Sequence, residues 1–235
     1  QIRVGSQGVH WQDIEQGGNF GAFTTSLPAS ALLEYGVTSA LVGHSEERSK
    51  LSALCSTFRQ GSATETSSRA MIAKVVNETV AESARLALSR GLNVTLCVGE
   101  TAEERGSEPV DFKRVFGVID SQVAALGEIR DAENLAVAYE PRWAIGPGKT
   151  PPGPDYIEKI ASHLKSLTRD LFGGERSVLY GGGLKRENGG AIGSIRGVDG
   201  GLIALTKFTP PIGFDASELR VIVDKFVEGS KGAET

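Results

Sequence analysis

Short runs of apolar and β-branched residues recur along the chain, each ending in glycine or polar residues. They are Ile2–Gly5, Ser39–Gly43, Asn93–Gly99, Leu135–Glu140, Ser177–Gly181 and Gly201–Thr206. Continuous apolar runs of this length are the pattern of strands buried on both faces. Between them, apolar residues recur at spacings of three and four over Ala29–Tyr35, Val80–Ser89, Phe112–Leu126, Tyr156–Leu171 and Ser217–Phe226. That spacing predicts helices with one buried stripe. Strand alternating with helix predicts a parallel α/β architecture. Six strand–helix units fit an open sheet or an incomplete barrel equally well. The segment Ser49–Lys74 carries no strand-like run and is expected to be a helical or loop insertion after the strand that ends on Gly43. Pro151-Pro152-Gly153-Pro154 is stiff but leads directly into a helix, so no interdomain linker is expected and residues 1–235 read as one domain.

Composition narrows the function classes. With 40% hydrophobic and 23% charged residues, the chain has ample material for a large core. A net charge of −4 argues against a nucleic-acid or anionic-membrane partner and leaves a small molecule as the expected ligand. An acidic protein that binds a phosphorylated metabolite must build its anion site locally, from backbone amides and a few cations. Cys55 and Cys97 read as reduced, buried thiols, which fits a cytoplasmic location. No run approaches the ~18 apolar residues of a membrane span.

Three segments carry candidate chemistry. In Val42-Gly43-His44-Ser45-Glu46-Glu47-Arg48 a strand gives way to a helix near Ser45, a favoured N-cap type. A histidine there faces the positive end of a helix dipole, which disfavours imidazolium and leaves a neutral ring to polarise a carbonyl. A structural histidine at a helix start stays open as the alternative. In Ala138-Tyr139-Glu140-Pro141-Arg142-Trp143-Ala144-Ile145-Gly146-Pro147-Gly148-Lys149-Thr150 a carboxylate ends a buried strand, where it is costly unless it has a partner or a role. The loop after it has an aromatic anchor, two glycines and prolines near both ends, the make-up of a hinged lid. A salt-bridged glutamate before an ordinary turn is the alternative. A P-loop reading of Gly148-Lys149-Thr150 fails because Trp143 occupies the position of the required first glycine. In Leu179-Tyr180-Gly181-Gly182-Gly183-Leu184-Lys185 a strand enters a glycine-rich turn whose amides could hold an anion. Downstream of Asn93–Gly99, the run Glu103-Glu104-Arg105 reads as a solvated helical face.

Taken in order, Gly43-His44-Ser45-Glu46, Cys97-Val98-Gly99-Glu100, Tyr139-Glu140-Pro141 with Trp143-Ala144-Ile145-Gly146 and Gly148-Lys149-Thr150, and Tyr180-Gly181-Gly182 resemble the triosephosphate isomerase family. Gly21-Ala22-Phe23-Thr24 matches the loop that in this family reaches into the partner subunit. The resemblance covers the chain from the family's third strand to its last helix. It implies a TIM (β/α)₈ barrel with six of the eight βα units evident, N-terminally incomplete. It also implies an aldose–ketose isomerase that interconverts glyceraldehyde 3-phosphate and dihydroxyacetone phosphate through an enediol(ate). Glu140 would be the base and His44 the electrophile, with Glu46 supporting the site through its charge. Trp143 through Lys149 would form the lid, a device for which this family is a standard illustration. Gly146, Gly182, Gly183, Ala204 and Leu205 fall at the phosphate-binding positions. Thr24 would support a partner's site in a homodimer. The family needs no metal or organic cofactor and works in the cytoplasm, in glycolysis and gluconeogenesis.

The sequence departs from the family pattern at several of these positions. Gly183 stands where a serine is usual, and Ala204-Leu205 where a Gly-Gly pair is usual. Glu47 replaces a usual arginine, and Arg142 a small apolar hinge residue. No segment corresponds to the family's first strand, with its Asn and Lys. These departures keep two alternatives in view: an isomerase of a four-carbon ketose phosphate (erythrulose phosphate), and a catalytically weak barrel that binds a phosphorylated metabolite.

Overall fold

The computed structural model describes residues 3–18, 21, 23, 26–57, 65–129, 132–146, 148–207 and 211–233. In chain order the elements are β1 (Gly5–Ser6), α1 (Ala29–Glu34), β2 (Ser39–Val42), α2 (Ser45–Thr57), α3 (Glu65–Ser89), β3 (Asn93–Val98), α4 (Ala102–Arg105) and α5 (Phe112–Ala124). They continue with β4 (Leu135–Tyr139), α6 (Pro154–Phe172), β5 (Ser177–Tyr180), α7 (Gly189–Gly193), β6 (Gly200–Gly201) and α8 (Ala216–Ala233). Hydrogen-bonded neighbours in the sheet follow chain order, β1-β2-β3-β4-β5-β6. The chain forms two compact units, Gln1–Val98 with Gly117–Ala136, and Gly99–Phe116 with Val137–Thr235.

In the first unit β1, β2 and β3 are parallel, with Ser39 opposite both Gly5 and Asn93. The apolar runs explain why these strands form. Val42 and Leu96 are wholly buried and Val94 nearly so, as expected of strands covered on both faces. Helix α3 buries Val76, Val80, Ala84, Ala87 and Leu88, a stripe at helical spacing. The segment Ser49–Lys74 is helical where described: residues 49–57 complete α2, and residues 65–74 open α3. Asp13, buried in the loop before α1, organises that loop. Its carboxylate accepts the Ile14 amide at 2.7 Å, the Ser30 amide at 3.1 Å and the Ser30 hydroxyl, and pairs with Arg90 at 3.1 Å.

In the second unit α6 shows how local sequence sets an element. Gly153 precedes Pro154 at the first helical position, and Gly173 ends the helix in the left-handed region at φ 70°, its amide donating to the Arg169 carbonyl. Ile157, Ile160, Ala161, Leu164 and Thr168 form its buried face. Strands β5 and β6 are parallel, with Leu179 opposite Gly200. Helices α7 and α8 meet backbone to backbone. A Cβ on Gly193 would lie 2.1 Å from the Phe226 carbonyl oxygen, so only glycine permits that contact.

Two boundaries differ from the sequence expectation. The strand expected over Gly201–Thr206 is only Gly200–Gly201. After the Leu202 amide bonds to the Tyr180 carbonyl, the chain leaves the sheet. Thr206 and Lys207 instead donate to the Gly213 carbonyl, and Lys207 forms an antiparallel bridge with Gly213. The strand expected over Ile2–Gly5 appears as Gly5–Ser6, and Ile2 lies outside the described residues. Among the described residues no helix is long and apolar enough to cross a membrane.

Asp13 gives the first unit a pH dependence. Burial alone would raise its pKa, but the Ser30 and Ile14 hydrogen bonds and the Arg90 charge outweigh it and hold it below its ordinary 3.8. A depressed carboxylate pKa stabilises the fold above the unfolded-state value, and that contribution is lost as pH falls through the folded value. Asp13→Asn is therefore expected to cost ~1–3 kcal/mol in urea unfolding at pH 7. The gap from the parent protein should narrow only below pH 3.8.

Candidate active site

The first unit presents His44 on a turn held from both sides. Beyond β2 the chain turns at Gly43, φ 77°, and α2 begins at Ser45. The Gly43 amide donates to Glu47 Oε2 at 2.6 Å, and the Gly43 carbonyl accepts from Arg48 Nε at 2.9 Å. Arg48 is buried, and its guanidinium also donates to the Cys97 carbonyl at 3.0 Å and to Asn77 Oδ1 at 2.9 Å. The backbone entering His44 is therefore fixed by an anion on one side and a buried cation on the other. His44 itself is half-buried, and its Nδ1 accepts the Glu46 amide at 3.3 Å. An accepting Nδ1 leaves the ring proton to Nε2, which can then act as a donor. Glu46 is exposed on the first turn of α2.

The second unit presents Glu140, one residue beyond β4 and 4% exposed. Its backbone is wedged between neighbouring turns. The Gly181 amide donates to the Tyr139 carbonyl at 2.8 Å. A Cβ on Gly99 would fall 1.8 Å from the Glu140 carbonyl oxygen, and one on Gly181 would fall 2.9 Å from the Glu140 Cγ. Glycine at 99 and 181 is thus what allows the chain to approach Glu140 so closely.

Glu100, two residues past β3, is wholly buried. Its Oε1 accepts from Tyr139 Oη at 3.0 Å, Trp143 Nε1 at 2.7 Å and Tyr156 Oη at 2.8 Å. Burial, and after it the Glu100 charge, push both phenols above the usual tyrosine pKa, so they remain donors. Arg105 lies over the Trp143 ring, 4.4 Å from its centroid. The run Glu103-Glu104-Arg105, expected as a solvated helical face, is helical, with Glu103 exposed and Glu104 and Arg105 half-buried. Thr101 and Glu104 exchange hydrogen bonds in a capping box, and this turn places Arg105 on Trp143.

The loop after Glu140 begins with a tight turn, the Ala144 amide donating to the Pro141 carbonyl at 2.8 Å. It continues through Gly146 at φ 115° and Gly148 at φ 75°, and Gly146, Gly148 and Lys149 are exposed. Past β5, Tyr180 Oη donates to the Gly182 carbonyl at 3.0 Å, and Gly183 adopts φ 94°. Asn188 closes this turn, accepting the Lys185 amide at 2.7 Å and donating to the Gly183 carbonyl at 3.1 Å.

Within the second unit the structure therefore gathers Glu140, Trp143 and the Gly181-Gly182 turn, with Gly183 next along. Ala204 and Leu205 are exposed in the loop after β6. His44 and Glu46 belong to the first unit, and Thr24 lies outside the described residues. Tyr156, Arg105 and Asn188 escaped the sequence reading. Tyr156 and Arg105 meet their partners across contacts the fold makes, whereas Asn188 bonds only within its own turn, to Gly183 and Lys185. Among the described residues no group of three or more His, Cys, Asp or Glu is placed to hold a metal ion.

A family model described as triosephosphate isomerase matches residues 1–210. The triosephosphate isomerase of Xanthobacter autotrophicus is 38% identical over 206 residues, 86% of this chain and 68% of that protein. That of Prochlorococcus marinus strain MIT 9301 is 36% identical over 210 residues, 89% of this chain and 71% of that protein. The chain belongs to the triosephosphate isomerase family. Its α/β class and its strands in chain order agree with the TIM-barrel architecture of that family.

The steric wedge at Glu140 is directly testable. Gly99→Ala must displace the Glu140 backbone and is expected to destabilise the protein by ~1–3 kcal/mol, read as a lowered urea midpoint with unchanged slope.

Proposed function

We propose that this protein is an aldose–ketose isomerase that interconverts glyceraldehyde 3-phosphate and dihydroxyacetone phosphate. The observation that carries the reading is Glu140. In a chain of this family, a 4%-exposed carboxylate stands just past β4, at the root of a loop with two glycines at positive φ. A buried carboxylate so placed suits proton transfer to and from carbon.

In the proposed reaction Glu140 takes a proton from the carbon beside the substrate carbonyl. The electron pair of that C–H bond moves to form the enediol(ate), and Glu140 returns the proton to the neighbouring carbon. No net oxidation occurs. His44 polarises the carbonyl oxygen with a hydrogen bond from Nε2, and the proton of the neighbouring hydroxyl passes to that oxygen as the hydroxyl becomes the new carbonyl; the Glu46 amide on Nδ1 supports the Nε2–H tautomer. Gly146, Gly182 and Gly183 offer backbone amides to the phosphate, with Ala204 and Leu205 at the remaining cradle positions. Trp143 through Lys149 close over the intermediate and exclude water, which protects it from losing phosphate. Lys149 is exposed on this loop, and Glu46 is exposed beside His44. A homodimer in which Thr24 supports the partner's site, acting in the cytoplasm in glycolysis and gluconeogenesis, belongs to the same proposal. It rests on family membership.

The reading is tested by steady-state turnover of glyceraldehyde 3-phosphate and of the erythrulose phosphates. Glu140→Gln is expected to lower kcat by ~10²–10⁴-fold with an unchanged urea midpoint. A clear preference for a tetrulose phosphate would move the substrate to four carbons. Absence of turnover on every sugar phosphate would leave a binding protein.

A further inference from the structure

The turn after β5 holds a run of backbone amides that the protein itself does not use. At its two ends the Gly181 amide donates to the Tyr139 carbonyl at 2.8 Å and the Lys185 amide to Asn188 Oδ1 at 2.7 Å. Between them the amides of Gly182, Gly183 and Leu184 have no hydrogen-bond partner among the described residues. Gly182 and Leu184 are buried and Gly183 is half-buried. Backbone donors away from water are rarely left unpaired, and successive free amides in a turn form a concavity suited to an anion.

Two side chains aim these amides. In a trans peptide the N–H points opposite to the C=O. Tyr180 Oη donates to the Gly182 carbonyl at 3.0 Å, which directs the Gly183 amide away from that hydroxyl. Asn188 Nδ2 donates to the Gly183 carbonyl at 3.1 Å, which directs the Leu184 amide away from Asn188. Gly183 therefore lies between two pinned peptides. The residue adds no steric restraint of its own, because the position of a Cβ meets nothing within 4 Å and glycine tolerates its φ of 94° freely. Hydrogen bonds alone hold the turn there. Asn188 is itself fixed, its backbone amide donating to the Lys185 carbonyl at 3.3 Å while its Oδ1 takes the Lys185 amide. It stands at the N-cap of α7, yet its side chain caps no amide of that helix. Both of its polar groups serve the turn instead.

We propose that Asn188 is a positioning residue: by holding the Gly183 carbonyl it keeps the Gly183 and Leu184 amides aimed at the substrate's phosphate. This rests on the isomerase reading above, in which this turn takes that phosphate. A glycine at 183 gives the unbound turn many conformations in which the amides diverge. The Asn188 bond removes them before the anion arrives, and donors oriented in advance bind charge more tightly than donors that must first be ordered.

The test is Asn188→Ala, with inorganic phosphate as the probe. In the parent protein the Gly183 and Leu184 amide resonances are expected to shift during a phosphate titration, and in the variant Kd is expected to rise about tenfold. Amides that do not respond in the parent, or a variant Kd within about twofold of the parent's, overturn the proposal. Catalysis gives a second readout. The value of kcat/KM for glyceraldehyde 3-phosphate is expected to fall about tenfold, and that for glyceraldehyde without its phosphate by less than about twofold. Equal losses on both substrates would mark a merely structural role and overturn the proposal. Asn188→Asp serves where the alanine variant does not fold. It keeps the bond from the Lys185 amide that closes the turn, but it cannot donate to the Gly183 carbonyl. Phosphate binding as tight as the parent's in that variant overturns the proposal. If the parent protein turns over no sugar phosphate, the isomerase reading fails by itself, and the phosphate titration still decides what Asn188 does.

Discussion

A fully buried carboxylate at the end of β3 is the constraint on which the second unit is arranged. An ionised group shut off from water is costly unless polar partners replace its hydration. Glu100 obtains those partners from three separate elements: Tyr139 from β4, Trp143 from the loop after Glu140, and Tyr156 from α6. Because each partner is aromatic, each contributes apolar surface along with its single donor. The arrangement therefore fixes the root of the loop by polar and packing forces at once. It leaves the tip to Gly146, Gly148 and exposed Lys149. A loop with a bound root and a free tip can close without unfolding its base.

The first unit answers the same kind of demand with the opposite charge. At the ends of β2 and β3 the ladder runs out, and the Gly43 and Cys97 carbonyls need donors that the sheet no longer supplies. Buried Arg48 provides them both, with Asn77 taking the remaining face of the guanidinium. The His44 backbone is locked as a consequence. Glu140 and His44 each lie just past a strand on fixed backbone: the His44 turn is held by buried Arg48, and Glu140 is wedged between the Gly99 and Gly181 turns. Such support is what a group that must meet a reacting atom within a fraction of an ångström requires.

Much of this was legible in the sequence where the signal is local. The apolar runs that became β2, β3, β4 and β5 were read to within a residue, because strands covered on both faces leave an unbroken apolar trace. Leu202–Thr206 leaves a similar trace but departs from the sheet, drawn into the turn that pairs Lys207 with Gly213. Hydrophobicity reports that such a run avoids water, not which backbone will satisfy its amides. The ordered motifs pointed to Glu140, His44 and Glu100 as a family set. They did not point to Tyr156 or Arg105. An aromatic near a helix start reads as core, and an arginine in a charged run reads as solvated. Only the fold puts Tyr156, fifty-six residues on, against Glu100.

The departures from the family pattern do not all bear on the chain in the same way. Glu47, where an arginine is usual, is no loss to the His44 turn. Its carboxylate sits at the positive end of α2 and accepts the Gly43 amide at 2.6 Å, so dipole and hydrogen bond act together. Arg48 next to it still supplies the cation. Gly183, where a serine is usual, is different in kind. At φ 94° it occupies backbone space that a side chain disfavours, although the position a Cβ would take is open. The shape of the turn after β5 has therefore become tied to glycine. A serine there would be strained at this φ, and relieving the strain would pull against the Asn188 bond to the Gly183 carbonyl. On the proposed reading, any difference in how a phosphate is held would start from the backbone conformation at Gly183, with the lost hydroxyl as its secondary effect.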